Sequence, residues 1–100
     1  MRKEFGQLDG DQHLNDHLAL YGMCMGDVVV EAGGELHLYG MCAGNIEIKA
    51  DGALCLYGMC TGHVVNTGGR VEISGMVVGN VEKNGGTTTI LPTARVGMAP

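Results

Sequence analysis

The tetrapeptide Tyr-Gly-Met-Cys occurs three times in this 100-residue chain, beginning at Tyr21, Tyr39 and Tyr57, so that the copies are evenly spaced. A degenerate copy, Ser-Gly-Met-Val, begins at Ser74, where the spacing is shorter by one position. Further glycines recur at fixed offsets from each copy. A fixed period of this length is typical of repeat proteins, in which each unit buries its apolar face only by stacking on its neighbours.

Between the glycines, apolar residues occupy every second position. The alternating sets are Leu18, Leu20, Cys24, Val28, Val30 and Ala32, then Leu36, Leu38, Cys42, Ile46, Ile48 and Ala50, and later Val71, Ile73, Val77 and Val81. Alternation with period two predicts strands with one buried face. Three short strands per repeat make one rung of a three-sided coil, and rungs that repeat in place must stack in parallel, about 4.8 Å apart.

The sequence therefore predicts an all-β fold: a short parallel three-sided β-solenoid of about four rungs, in a single domain. Residues 18–86 form the rungs. Residues 1–17 and 87–100 depart from the repeat, and we expect each to cap the coil or to add a partial rung. The segment 64–69 is one residue shorter than its equivalent 46–52, and we place this deletion at a corner.

If one set of residues points inward, the residues between them point outward. Three outward columns then form a flat apolar surface, which we call the Tyr/Met strip: Tyr21, Tyr39, Tyr57; Met23, Met41, Met59, Met76; and Met25, Ala43, Thr61, Val78. An exposed apolar strip normally marks an interface, and Tyr and Met are enriched in interfaces. The alternative is that a terminal segment folds back over the strip.

The charge balance favours a basic partner over a nucleic acid. Eleven acidic against six basic residues give a net charge of −5, whereas phosphate binding needs a basic face. Asp27 heads a polar column with Asn45, His63 and Asn80. We add Asp27, Glu31 and Glu47 to the Tyr and Met residues as candidate interface residues. The alternative is an ordinary solvated surface.

The repeat pattern contains only weak candidates for a catalytic or metal-binding site. Cys24, Cys42 and Cys60 are equivalent residues in one inward column, which indicates packing rather than disulfides. Cys55 lies on an outward column with Ala19, His37 and Glu72, but a Cys–His pair without a third member is a weak nucleophilic site. Adjacent Met and Cys residues face opposite sides of a strand and cannot share a soft metal. We predict no catalytic residue, no metal and no cofactor.

The sequence also favours a cytoplasmic protein without a membrane partner. No stretch approaches the roughly 18 apolar residues of a membrane span. The start of the chain, residues 1–6, lacks the apolar core of a secretion signal. Cysteines kept free fit a reducing compartment.

One stretch carries a family resemblance. The alternation Val-Glu-Ile-Ser-Gly-Met-Val-Val-Gly-Asn-Val over residues 71–81 resembles the bactofilins, and the resemblance extends over about residues 18–86. It implies a right-handed three-sided β-helix in a family of polymer-forming cytoskeletal scaffolds without catalytic residues. The chain departs from that family in being short and in its Tyr-Gly-Met-Cys signature.

Two functions compete on these observations. The first is a small acidic inhibitor of the immunity type, which binds and blocks a basic protein such as a nuclease toxin. The second is a self-assembling scaffold similar to the bactofilins. The ends of the coil discriminate between them, because a filament former leaves its end rungs open and a soluble module blunts them.

Overall fold

The Gly-interrupted alternation forms fifteen short strands in the computed structural model, which describes residues 2–96. Every strand pairing is parallel, and each strand pairs with the equivalent strand one turn away. Three successive strands, one on each side, complete one turn of the coil. The predicted all-β parallel solenoid is thus confirmed.

Each side of the coil is a ladder of equivalent strands. The first side contains β1 Arg2–Glu4, β4 His17–Leu20, β7 Glu35–Leu38, β10 Ala53–Leu56 and the second halves of β12 Val64–Ile73 and β14 Val81–Ile90. The second side contains β2 Gln7–Leu8, β5 Met23–Cys24, β8 Met41–Cys42, β11 Met59–Cys60, β13 Met76–Val77 and β15 Arg95–Val96. The third side contains β3 Gln12–Leu14, β6 Val28–Val30, β9 Ile46–Ile48 and the first halves of β12 and β14.

The coil has about five turns, one more than the repeat predicted. Residues 2–14, expected as a cap or partial rung, form a complete turn in register with the next one. This turn escapes detection because three of its residues in register with inward apolar ones are polar: Arg2 pairs with Leu18, Glu4 with Leu20, and Gln12 with Val28. At the other end, β14 and β15 continue the coil through Val96. Residues 1 and 97–100 lie outside the described part of the chain.

The inward columns form one continuous apolar core, as the alternation predicted. The buried set is Leu14, Leu18, Leu20, Cys24, Val28, Val30, Leu36, Leu38, Cys42, Ile46, Ile48, Leu54, Leu56, Cys60, Val64, Val71, Ile73 and Val77. Each side chain in this set has at most 2% of its surface exposed. Val81, also expected inward, is partly buried against the same core. The core is therefore a column of stacked layers, one per turn.

Two expected inward residues, Ala32 and Ala50, are instead exposed. Both lie in the corner between the third and first sides, where the strands have ended. There the backbone adopts positive φ at Gly33 (81°) and Asp51 (66°). The alternation of side-chain direction holds only within extended backbone, so a left-handed residue at the corner ends it.

The expected deletion at a corner is confirmed by the strand register. Strand β12 pairs with β9 at Asn66–Ile48 and with β10 at Arg70–Ala53. Between these two pairings β12 has one residue fewer than the turn beneath it. Asn66 stands where the longer rung has a buried Ile, and its side chain is fully buried. The shortened corner thus carries a polar residue inside the core.

The glycine of each Tyr-Gly-Met-Cys copy is required by the close approach of neighbouring turns. A Cβ atom at Gly40 would overlap the backbone carbonyl oxygen of Gly22, and one at Gly58 would overlap that of Gly40. These carbonyls accept the hydrogen bonds that link the turns, from Met41 N–H and Met59 N–H, each at 3.0 Å. Any side chain at this position would force the turns apart.

Candidate protein-binding face

The Tyr/Met strip covers the second side of the coil and its two corners. Tyr21, Tyr39 and Tyr57 follow the first-side strands directly and lie at one corner. The backbone N–H of Tyr39 donates to the carbonyl of Leu20, and that of Tyr57 to Leu38, both at 2.8 Å. The tyrosines are therefore held one above another by the same hydrogen bonds that link the turns.

The tyrosine rings stack into a ladder. The centroids of Tyr21 and Tyr39 lie 4.7 Å apart with an angle of 5° between the ring planes. Those of Tyr39 and Tyr57 lie 4.9 Å apart at 11°. Between 42% and 45% of the surface of each tyrosine residue is exposed. Stacked aromatic pairs stabilise a fold beyond the area that they bury, so the ladder strengthens the contact between turns.

The ladder has a fourth ring that the sequence analysis missed. Phe5 stacks on Tyr21 with a centroid distance of 4.9 Å, and it is 70% exposed. The sequence contains a pattern that could have revealed this ring. If the first turn is allowed to be shorter than the later repeats, Phe5-Gly6-Gln7-Leu8 aligns with Tyr21-Gly22-Met23-Cys24. The aromatic column thus extends to the first turn.

The other two columns of the strip lie as expected. The central column holds Met23, Met41, Met59 and Met76 in direct register, and the first three are half-buried while Met76 is 40% exposed. The column at the far corner holds Met25 and Val78, with 46% and 48% of their surfaces exposed, and the exposed residues Ala43 and Thr61 between them. The strip is therefore a continuous exposed surface.

Large exposed apolar residues concentrate on this one face. Of the eight such residues in the described chain, seven lie on the strip or its aromatic extension: Phe5, Tyr21, Met25, Tyr39, Tyr57, Met76 and Val78. The eighth, Ile90, lies on the last complete strand of the first side. Residues 2–14 and 81–96 continue the coil and do not fold back over the strip. Apolar exposure gathered on one face is typical of an interaction site.

The three acidic candidate residues lie on the third side and its corners, and only Asp27 is next to the strip. Glu47 lies on β9, with its carboxylate 3.4 Å from the ammonium of Lys49. Glu31 follows β6, with Oε2 3.0 Å from Nδ1 of His13. The structure thus brings the seven Tyr and Met candidates together and leaves these two acids separate from them.

The third acid, Asp27, belongs to a hydrogen-bonded ladder at the corner next to the strip. Its Oδ1 accepts a bond of 2.8 Å from the backbone N–H of Asn45. In the same way Asn45 Oδ1 accepts from the N–H of His63 at 2.8 Å, and His63 Nδ1 from the N–H of Asn80 at 2.9 Å. The predicted polar column exists, and its side chains hold successive turns together.

The Cys55–His37 pair is not arranged as a nucleophile with its base. The two residues are neighbours in register on the first side, but His37 Nε2 is hydrogen-bonded to the carboxylate of Glu35. That hydrogen bond lowers the pKa of Glu35. Burial, followed by the negative charges of Glu72 and Glu35, raises the pKa of the Cys55 thiol. A thiol that stays protonated is a poor nucleophile.

The column of Cys24, Cys42 and Cys60 is fully buried and its thiols are free. Cys42 Sγ lies 3.7 Å from the carbonyl oxygen of Gly26 and 3.6 Å from that of Gly44. Its pKa is raised by the hydrogen bond with Cys60 and by burial. Within residues 2–96, no three His, Cys, Asp or Glu side chains are grouped so as to hold a metal ion. These thiols pack the core.

Comparison with known proteins identifies no relative. No protein-family model matches the chain, and neither the curated proteins nor the solved structures give a match. Residues 2–96 contain no helix with the length and apolarity that a membrane span requires.

Proposed function

We propose that this chain is a non-enzymatic protein-binding module that holds its partner on the Tyr/Met strip. In its most specific form, it is a small acidic inhibitor of the immunity type that covers and blocks a basic protein such as a nuclease toxin. The observation that carries the proposal is the gathering of seven of the eight large exposed apolar residues of the described chain on one face.

The size of the strip argues that the contact extends onto its acidic border. Three columns across four turns cover roughly 400 Å², taking about 4.8 Å between turns and about 6.6 Å between columns, since the columns hold every second residue of a strand. A standard interface buries about 800 Å² on each partner, so neighbouring residues must take part. Next to the strip, at the N-terminal end of the coil, stand the carboxylates of Asp9, Asp11 and Asp27.

This border favours a basic partner. The chain carries a net charge of −5. Complementary charge speeds encounter and excludes acidic competitors, while buried Tyr and Met side chains supply most of the affinity. The free thiols of all four cysteines, including the half-buried Cys55, support our proposal of a reducing compartment such as the cytoplasm.

A specific observation favours a second candidate, a self-assembling scaffold similar to the bactofilins. Ile90 pairs with the inward residue Ile73, yet it is 40% exposed because it lies on the last strand of its side. Val96 pairs with the buried Val77 and is itself only partly buried. The described C-terminal end thus presents the apolar Ile90 and Val96 beside the polar Thr88, whereas Glu4 and Gln12 blunt the N-terminal end. An open end supports stacking on a second copy.

The strip proposal is tested by using the protein as bait. The double variant Tyr39→Asp with Met41→Asp places two charges in the centre of the strip. The matched control is Ala32→Asp with Ala50→Asp, which adds the same charge at two exposed corner residues. Each protein is immobilised and exposed to a lysate of its source cell, and retained proteins are identified by mass spectrometry.

We expect the wild type and the corner control to retain one basic protein, released by salt, that the strip variant does not retain. The nuclease activity of that protein should fall as free wild-type chain is added. Equal retention by the strip variant would show that the partner binds elsewhere. A retained nuclease with unchanged activity would contradict inhibition while leaving binding in place.

The scaffold candidate is tested by light scattering in line with size-exclusion chromatography over a wide range of protein concentration. Large species that grow with concentration, and that shrink when Ile90→Asp is introduced at the open end, support it. A single small species at all concentrations contradicts it.

A further inference from the structure

The tyrosine ladder combines contact between rings, which an isolated surface tyrosine lacks, with exposure to solvent. Neighbouring phenol rings are held in contact, with centroids 4.7 Å apart for Tyr21–Tyr39 and 4.9 Å for Tyr39–Tyr57. The rings are nearly parallel, at 5° and 11°. At the same time 42–45% of each residue is open to solvent, so that small oxidants have access.

We propose that this ladder is a site of oxidative modification, at which two tyrosines on neighbouring turns couple to form dityrosine within one chain. Each phenol loses one electron to an external one-electron oxidant and releases its hydroxyl proton to solvent. The two neutral radicals then pair through the ring carbons next to the hydroxyl groups, forming one carbon–carbon bond. The hydrogens on those two carbons move to the phenol oxygens and restore both aromatic rings. In total, two tyrosines lose two electrons and two protons.

Contact between the rings is what makes this site favourable. A reaction between groups held side by side has a far higher effective concentration than a collision between two chains. The register of the turns allows two pairs only, Tyr21–Tyr39 and Tyr39–Tyr57. Tyr21 and Tyr57 are two turns apart, about 10 Å, which is too far for a bond between their rings. Phe5 extends the stack but has no hydroxyl group from which to form the radical.

The product ties adjacent turns of the coil together covalently on the exposed strip. This inference does not rest on the proposed partner, because it concerns the free chain. A protein bound on the strip would shield the rings from the oxidant.

The experiment oxidises dilute protein with ruthenium tris-bipyridyl under light, with persulfate as the final electron acceptor. Dityrosine is measured by its blue fluorescence, and a denaturing gel separates monomers from cross-linked dimers. Trypsin then locates the bond, because Tyr21 and Tyr39 share the peptide 4–49 while Tyr57 lies in the peptide 50–70. A Tyr39–Tyr57 bond joins these two peptides, and a Tyr21–Tyr39 bond stays within the first.

We expect monomeric wild type to gain dityrosine and to lose two hydrogen atoms from its intact mass. Tyr39→Phe keeps the ring stack but removes the residue common to both pairs, so intrachain dityrosine should be lost. Tyr21→Phe and Tyr57→Phe each leave one pair and should each retain a cross-link, in different peptides. Circular dichroism checks that all three variants fold.

Three results would overturn the proposal. Dityrosine in Tyr39→Phe at the wild-type level would show that contact in the ladder does not direct the coupling. A wild-type yield unchanged when the chain is unfolded in urea would show the same. Cross-linked dimers without any cross-linked monomer would place the reaction between chains.

Discussion

The side-chain oxygen of Asn66 accepts a hydrogen bond of 2.8 Å from the backbone N–H of Gly69, inside the core. The same oxygen accepts from Gly68 N–H at 3.2 Å. The amide nitrogen of Asn66 donates to the carbonyl of Thr87 and to Thr88 Oγ1, both at 3.0 Å. One buried side chain therefore satisfies the backbone of the shortened corner and links it to the next turn.

Replacing Asn66 with Leu should be strongly destabilising although Leu suits an apolar core. The N–H groups of Gly68 and Gly69 would lose their acceptor, and leaving the buried Gly69 N–H unsatisfied costs about 1–3 kcal/mol. Urea unfolding followed by circular dichroism measures the loss. Asn84→Leu, at an exposed position, is the control and should change stability by less than about 0.5 kcal/mol. A similar small effect at Asn66 would mean that the corner bonds contribute little.

His63 should tolerate Asn better than Leu. Its Nδ1 accepts the backbone N–H of Asn80, and Asn45 fills the equivalent role one turn earlier through its side-chain oxygen. His63→Asn can keep that acceptor, whereas His63→Leu removes it at a cost of about 0.5–1.5 kcal/mol. Thermal unfolding of the two variants side by side gives the comparison. Equal stability of the two variants would show that the hydrogen bond between Asn80 N–H and His63 Nδ1 does not stabilise the fold.

Cys42→Ser should destabilise the protein by about 1–3 kcal/mol, because a hydroxyl is harder to bury than a thiol when its partners lie too far away. The carbonyl oxygens of Gly44 and Gly26 are 3.6 and 3.7 Å from the sulfur, and a shorter C–O bond would leave the oxygen farther from both. Cys55→Ser, at a half-buried position on the outward face, serves as the control and should lose less. The free energy of unfolding in urea is the quantity to compare, and equal losses would contradict the inward placement.

Stability should fall in acid partly through Glu35. Its hydrogen bond with His37 lowers its pKa in the folded state below that of the unfolded chain. The resulting stabilisation is complete above the unfolded pKa, about 4.3, and is lost as the pH falls through the lower folded pKa. Melting temperatures of the wild type should therefore decline below about pH 5 more steeply than those of Glu35→Gln. Parallel curves for the two proteins would show that Glu35 is not linked to folding.

The sequence by itself determined the architecture of this protein, and the tertiary structure decided which residues meet between its turns. Alternation within a strand depends on local backbone geometry, so it was enough to place Leu20, Cys24 and Val28 inward and the Tyr/Met strip outward. It failed at Ala32 and Ala50, where a left-handed corner interrupts the alternation.

Other features depend on the register between turns, which shifts along the chain because the turns differ in length. Register alone brings Phe5 onto Tyr21, turns Asp27 from a free surface charge into an acceptor for Asn45, and sets Asn66 against Thr87. Most of these contacts join residues far apart in sequence, and no local pattern specifies them. The succession of turns could therefore be predicted from the sequence. The hydrogen bonds and ring contacts between turns could be identified only in the folded coil.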